Sequence, residues 1–247
     1  MDSGKIQKLL SDTAIYGVER YLNALIMTAL VPLYTRYLSP GEYGSLELVL
    51  TVFFFLNLLF ALGLDASLGR FLYDCTAPEE ERVLVSTNFY LRVGAMTLVA
   101  AILLPLSGMV SRAFTGTDEA APLFMLAVAS LPFFAVIYVA MDYLRLTFRP
   151  FRYSVLTAGN AIGGGLLSVF FIVHEGKGAF GILLGQLVSY ACFAVPAVYY
   201  LRDRLRPALS RETARVLLAF GLPLVPAGVF YWVLQFSDRF FLARFAS

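Results

Sequence analysis

The chain has 247 residues, of which 59% are hydrophobic and 15% charged, against about 45–50% apolar in soluble domains. A mean hydropathy of +0.75 over the whole length excludes a water-soluble globule, and it is too large a surplus for one anchor helix. The net charge of +2 says little by itself, but no basic stripe interleaved with aromatics lies outside the apolar runs, which disfavours nucleic-acid binding.

Runs of about 20 apolar residues, the length that crosses some 30 Å of hydrocarbon, predict seven membrane helices in an all-α, polytopic bundle. In chain order they are 13–35, 43–63, 83–107, 121–142, 151–173, 179–201 and 216–236. Lys5 and Lys8 precede the first run as in a signal peptide, but the run is too long and lacks a small-residue cleavage site, so it reads as a retained helix.

The connections alternate in charge. On one side fall Lys5, Lys8, Arg70, Arg82, Arg145, Arg149, Arg152, Arg202, Arg204, Arg206, Arg211 and Arg215; on the other fall only Arg36, Arg112 and Lys177. Twelve against three is a positive-inside pattern and predicts a cytoplasmic N-terminus. The run Glu79, Glu80 and Glu81 reads as a solvated loop or helix-start cluster and leaves that prediction standing.

Cys75 and Cys192 have no C-x-x-C spacing, and His174 is the only histidine, in a short polar connection. No catalytic residue, metal ligand set or cofactor is assigned on this basis, and no Walker or G-x-G-x-x-G loop is present.

Charges inside the runs carry the functional reading, because each costs about 2.5–3.5 kcal/mol at a helix centre on insertion scales. Glu19 and Arg20 lie about eight residues into the first run, roughly 12 Å from its start, and Arg92 lies at a similar depth in the third. Two guanidinium groups at one level predict a cationic cavity open to the cytoplasm, with Asn88 four residues before Arg92 on the same face. The alternative is that the arginines pair internally and hold helices together. Glu19, Asp65 and Asp142 are candidates for coupling or charge balance; Arg70, Arg145, Asp238 and Arg239 for gating or interfacial anchoring.

Prolines 32, 105, 132 and 196 interrupt the runs, and Pro223 and Pro226, flanked by Gly221 and Gly228, predict a bent seventh helix able to act as a hinge. Gly159 with Gly163, and Gly181 with Gly185, have the spacing of close helix packing. The domain reading is a six-helix lobe over 1–201, a basic linker over 202–215 and the first helix of a second lobe over 216–247, since the seventh run echoes the first in its proline and its terminal charge.

Three stretches, LVPLYTRYLSPGEYG at 30–44, LGLDASLGRF at 62–71, and FGLPLVP at 220–226 with SDRF at 237–240, resemble the corresponding segments of bacterial polysaccharide-export flippases. These are O-antigen flippase-like members of the multidrug/oligosaccharidyl-lipid/polysaccharide exporter superfamily. The resemblance implies one lobe plus the first helix of another, and hence the N-terminal portion of a longer protein. It also implies transfer of undecaprenyl-diphosphate-linked oligosaccharide across the inner membrane by alternating access, with H+ or Na+ as coupling ion and a polysaccharide polymerase as a further partner. Arg20 and Arg92 would then receive the diphosphate. The competing expectations are a multidrug exporter of the same superfamily, whose cavity should be acidic, and a membrane-embedded enzyme or subunit acting on lipid-linked sugars.

Overall fold

The computed structural model describes the backbone at Gly17, Tyr21, 24–26 and 28–245, and side chains as far as Gln235. The expected span 13–35 is therefore described only in part, as helix α1 (28–37). Ser39 then starts α2 (Pro40–Phe60) through a capping box in which its hydroxyl accepts from the Glu42 amide and the Glu42 carboxylate accepts from the Ser39 amide. Gly63, at φ +64°, turns the chain into α3 (Leu64–Phe71), and a single 3-10 turn (Leu72–Asp74) follows.

Helix α4 (Pro78–Leu103) begins five residues before the run 83–107, because Pro78 opens it and the Glu80 carboxylate accepts from the Thr76 and Ala77 amides. Its polar first turns carry it beyond its own hydrophobic stretch. A break at Pro105 separates it from α5 (Ser107–Thr115), which the run-length reading did not predict. The helices α6 (Ala121–Leu146), α7 (Pro150–Val173) and α8 (Gly178–Leu201) match their expected runs closely. The seventh run is divided into α9 (Arg211–Gly221), a 3-10 turn (Leu222–Leu224) and α10 (Val225–Phe245). Counting α9 and α10 as one segment, six helical segments among the described residues are long and apolar enough to cross a membrane, and none of these residues forms a strand.

The alternating helices leave two cores, one towards each end of the bundle. One packs Leu46, Val49 and Phe53 of α2 with Met96 of α4, Phe124 and Leu131 of α6, and Ile182 of α8. The other packs Leu64 and Leu68 of α3 with Val85, Val139, Tyr143, Leu156 and Leu201. Lipid is as apolar as these side chains, so close packing and hydrogen bonds between helices must supply the association energy. The α7–α8 pair does both. A Cβ at Gly185 would meet the Ser168 backbone at 2.5 Å, Gly159 and Gly163 seat the Phe193 ring, and Gly181 faces Phe171. The hydroxyls of Ser168 and Ser189 donate across the pair to the carbonyls of Ile182 and Asn160.

The connection 202–210 is held rather than free. Glu81 accepts from the Tyr143 hydroxyl at 2.6 Å and pairs with Arg204 at 3.2 Å, while Glu79 pairs with Arg206. The Ser86 hydroxyl donates to the Arg204 carbonyl and accepts from the Arg206 amide; Thr87 accepts from the Ser210 amide. Helix α9 then buries Ala214, Leu217 and Gly221, at helical spacing, against the first lobe, with Leu217 fully buried in the α3–α4–α6 core. The glutamate run stands at the helix start as expected, with Glu79 and Glu80 exposed, and Glu79 and Glu81 also clamp the connection; α9 lies against α3, where the Ser67 hydroxyl donates to the Leu217 carbonyl. The expected consequence is that Glu79→Gln/Glu81→Gln raises tryptic cleavage within 202–215 by roughly tenfold in inside-out vesicles, since each exposed or half-exposed pair contributes only about 0.2–1 kcal/mol but the two act together. Equal cleavage of the unaltered protein would refute the clamp.

Candidate functional site

The end of α2, the α3 corner, the middle of α4 and the latter half of α6 surround a recess of about 310 Å³. Phe54, Asn57 and Leu58 come from α2, Asp65 from the first turn of α3, Arg92 from α4, and Phe134 and Tyr138 from α6. Leu224, Val225 and Gly228 close it on the side where α10 begins. Helix α10 approaches α2 closely there because Gly228 has no side chain: a Cβ would meet Leu58 Cδ1 at 2.7 Å. The Trp232 and Phe55 rings pack at 4.6 Å further along the same contact.

Arg92 is 6% exposed and donates from Nη1 to Asp142 Oδ2 at 2.9 Å; Arg145 donates from Nη2 to the other oxygen at 3.1 Å. Two guanidinium groups thus share one carboxylate, so the group keeps one surplus positive charge. That surplus emerges at Arg145, whose side chain is 58% exposed, because Asp142 is itself almost fully buried beside Arg92. The Arg92 guanidinium also lies 5.8 Å from the centre of the Tyr138 ring, which stacks on Phe134 at 4.1 Å. An ion pair this deep persists only where geometry and further bonds compensate desolvation; here the second arginine and the ring do so.

The structure separates the residues that the sequence grouped. Arg92 and Asp65 line the recess, and Asp142 lies behind its wall. Asp65 is exposed and forms no ion pair or hydrogen bond with a described residue. Asn88 does not join the site: it is 1% exposed, and its amide donates to the Leu64 carbonyl at 2.7 Å, fixing the start of α3 against α4. The residue four positions before Arg92 is correctly placed on one helical stripe, but that stripe meets protein at Asn88. Arg70 pairs with Asp74 one turn away on an exposed surface. Pro223 lies in the 3-10 turn and Pro226 in the first turn of α10, so the α-helical pattern is interrupted at these prolines. Glu19 and Arg20, and the side chains of Asp238 and Arg239, lie outside the described residues. His174 is exposed at the end of α7, with its ring 5.3 Å from Phe170.

Sequence reasoning misses Asn57 and Glu47, both polar residues within the second apolar run. The signal was present as single breaks in hydropathy, hidden by the attention that arginines attract. Asn57 is 9% exposed and donates to the Phe53 carbonyl at 3.1 Å, leaving its buried Oδ1 without a hydrogen-bond partner among the described residues. Glu47 lines a second cavity, of about 190 Å³, between α1, α2, α7 and α8, with Tyr34, Asn160 and Gln186.

The fold is that of known transporters. It matches a multidrug resistance MATE family transporter of the MOP superfamily in its outward-facing conformation, with a TM-score of 0.71 at 18% identity, over 88% of this chain and 53% of that one. A MATE protein in complex with Br-NRF gives 0.66 at 16% identity, over 93% and 54%. A MOP superfamily transporter from Pyrococcus furiosus Vc1 (DSM3638), described as having a binding pocket of reverse polarity that suggests a different function, gives 0.63 at 16%, over 90% and 51%. The chain spans about half the length of each of these proteins. No curated protein sequence matches it. Residues 33–247 match the family described as "Polysaccharide biosynthesis protein".

Proposed function

This chain belongs to the polysaccharide biosynthesis protein family, and on that premise we propose that it forms the first lobe of a flippase. In this reading a two-lobe transporter moves undecaprenyl-diphosphate-linked oligosaccharide from the cytoplasmic to the periplasmic leaflet of the bacterial inner membrane. It is a multi-pass membrane protein with a transporter fold, and the reading makes it a carrier rather than an enzyme.

The observation that supports this reading best is the Arg92–Asp142–Arg145 group, which keeps a surplus positive charge beside a recess that the start of α10 closes on one side. A lipid diphosphate has to carry its charged head across about 30 Å of hydrocarbon, and a fixed cation on the wall of a hydrated cleft lowers that barrier while the lipid tail stays in the bilayer. Arg20 adds to that charge in the proposal. The cytoplasmic N-terminus rests on the distribution of basic residues, which the fold keeps at opposite ends: α3, the start of α4 and the 202–215 segment meet at one end, as the Glu81–Arg204 and Ser67–Leu217 contacts require.

Alternating access in this scheme moves α10 about the 3-10 turn at Leu222–Leu224, with α9 anchored to the first lobe. Glu19, Asp65 and Asp142 remain the proposed groups for H+ or Na+ coupling or charge balance. Asp65, exposed and unpaired among the described residues, and Glu47 in the second cavity favour the multidrug reading, since a cationic drug would seek such carboxylates.

The test is complementation of a flippase-deficient strain with the full-length gene carrying Arg20→Ala. Surface polymer is expected to fall at least tenfold at equal expression. Unchanged polymer removes Arg20 from the mechanism, and failure of the unaltered gene to restore polymer, with restored resistance to cationic drugs, favours the multidrug alternative.

A further inference from the structure

The recess beside Arg92 has the chemistry of a sugar site more than of a phosphate site. Resting on the lipid-diphosphate reading above, we infer that it receives the first sugar ring of the lipid-linked head, with Asn57, Asp65 and Phe54 as its specificity-determining contacts. The diphosphate then lies outside the recess, against Arg145.

Charge is the first argument. The recess wall carries one cation, Arg92, and one anion, Asp65. Arg92 is already matched by Asp142 at 2.9 Å, so a diphosphate entering here meets a balanced wall and an exposed carboxylate. The surplus charge of the triad emerges at Arg145, which is not part of the lining and is largely open. A doubly charged phosphate group is drawn to that arginine, and a neutral ring is left to the recess.

Composition is the second. Sugars present polarised C–H faces and a ring of hydroxyls that donate and accept at once. Phe54 is 41% exposed and offers the electron-rich face of an aromatic ring. Around it, the Asn57 amide, the Asp65 carboxylate and the Arg92 guanidinium are planar groups suited to adjacent hydroxyls. Asn57 Oδ1 is buried and has no hydrogen-bond partner among the described residues, and a hydroxyl is the group that both donates to it and accepts from a neighbour. Helix α10 covers this wall mainly through Gly228 on Leu58 and Trp232 on Phe55, so a ligand that parts α10 from α2 reaches the amide.

Size is the third. At about 310 Å³ the recess lies at the lower end of small-molecule pockets, roughly 300–1,000 Å³. It admits a single sugar ring and excludes the remainder of an oligosaccharide, which would extend into the space between lobes.

The experiment measures binding of two probes to the purified full-length protein in detergent: undecaprenyl diphosphate bearing one N-acetylhexosamine, and undecaprenyl diphosphate without sugar. Asn57→Leu is expected to weaken the sugar-bearing probe at least tenfold and to leave the bare diphosphate unchanged. Phe54→Ala, at an exposed position, should do the same if Asn57→Leu unfolds the protein. Equal weakening of both probes places the diphosphate in the recess and overturns the inference while leaving the flippase reading intact; no change for either probe also overturns it. Binding of neither probe by the unaltered protein sinks the lipid-diphosphate reading itself.

Discussion

Arg92→Ala is expected to abolish polymer export and to lower stability by only about 3 kcal/mol, whereas Asp142→Ala should lower it more, by up to about 5 kcal/mol. The asymmetry follows from the shared carboxylate. Losing Arg92 leaves Asp142 still paired with Arg145 at 3.1 Å; losing Asp142 leaves a guanidinium that is 6% exposed without its ion-pair partner. Removing one member of a buried pair is costly because the survivor stays desolvated, while replacing both by apolar groups of similar volume is often neutral. The double substitution Arg92→Met/Asp142→Leu should therefore unfold at close to the unaltered temperature in detergent and still fail to restore surface polymer in a flippase-deficient strain. A double variant that exports normally would reduce the triad to a helix-packing device and remove the main support for the proposed function.

Gly221→Val is expected to be the most disruptive single change at the corner where α9 gives way to α10. A Cβ there would meet the Leu62 carbonyl oxygen at 2.5 Å and the Gly63 carbonyl and Ser67 Oγ at 2.8 Å. These are backbone atoms and a hydroxyl that is already committed to the Leu217 carbonyl at 2.7 Å, so they have little freedom to yield. Gly63 faces Gly221 in the same contact and holds φ at +64°, which adds a conformational reason against a side chain on the other partner. Overpacking commonly costs about 1–3 kcal/mol and more where backbone must move. We expect Gly221→Val to exceed that range and to lower both unfolding temperature and export. Gly228→Ala, which meets only the flexible end of Leu58, should be milder, and Gly94→Ala, with nothing within 4 Å, should be neutral or slightly stabilising. If Gly221→Val unfolds with the Gly94→Ala variant, the two corners are not in contact in the membrane, and α9 is not anchored as described.

Much of the fold could be read from run length alone. The matches for α6, α7 and α8 arise because these helices are apolar from end to end and bounded by loop residues, so hydropathy and helix coincide. The mismatch at α4 has the opposite cause: its first turns are charged yet helical, since Pro78 and the Glu80 carboxylate fix the start. The separate α5 escaped notice because nine residues of mixed polarity carry no membrane signal.

For the site, hydropathy singled out both Arg92 and Asp142, the latter for coupling or charge balance, but not their pairing. Asp142 lies 50 positions away and one helix over, and nothing local to either residue records the pairing. Asn88 shows the converse error: its spacing from Arg92 was correct, and its surroundings were not, because α3 folds back to cover it. Asn57 and Phe54 became part of a site only once α10 was laid across α2.

By itself the sequence determined that the chain crosses a membrane repeatedly, where four of its helices (α2, α6, α7 and α8) begin and end to within a few residues, and which ends carry the basic charge. Those properties follow from transfer free energy and backbone hydrogen bonding, which act residue by residue along the chain. Tertiary structure alone decided that two arginines share one carboxylate, that Glu79 and Glu81 grip the 202–210 connection, and that 211–221 packs against α3. Such outcomes depend on which helix faces meet, and hydrocarbon does not distinguish one apolar face from another; small residues and a few hydrogen bonds, distant in sequence, make that choice.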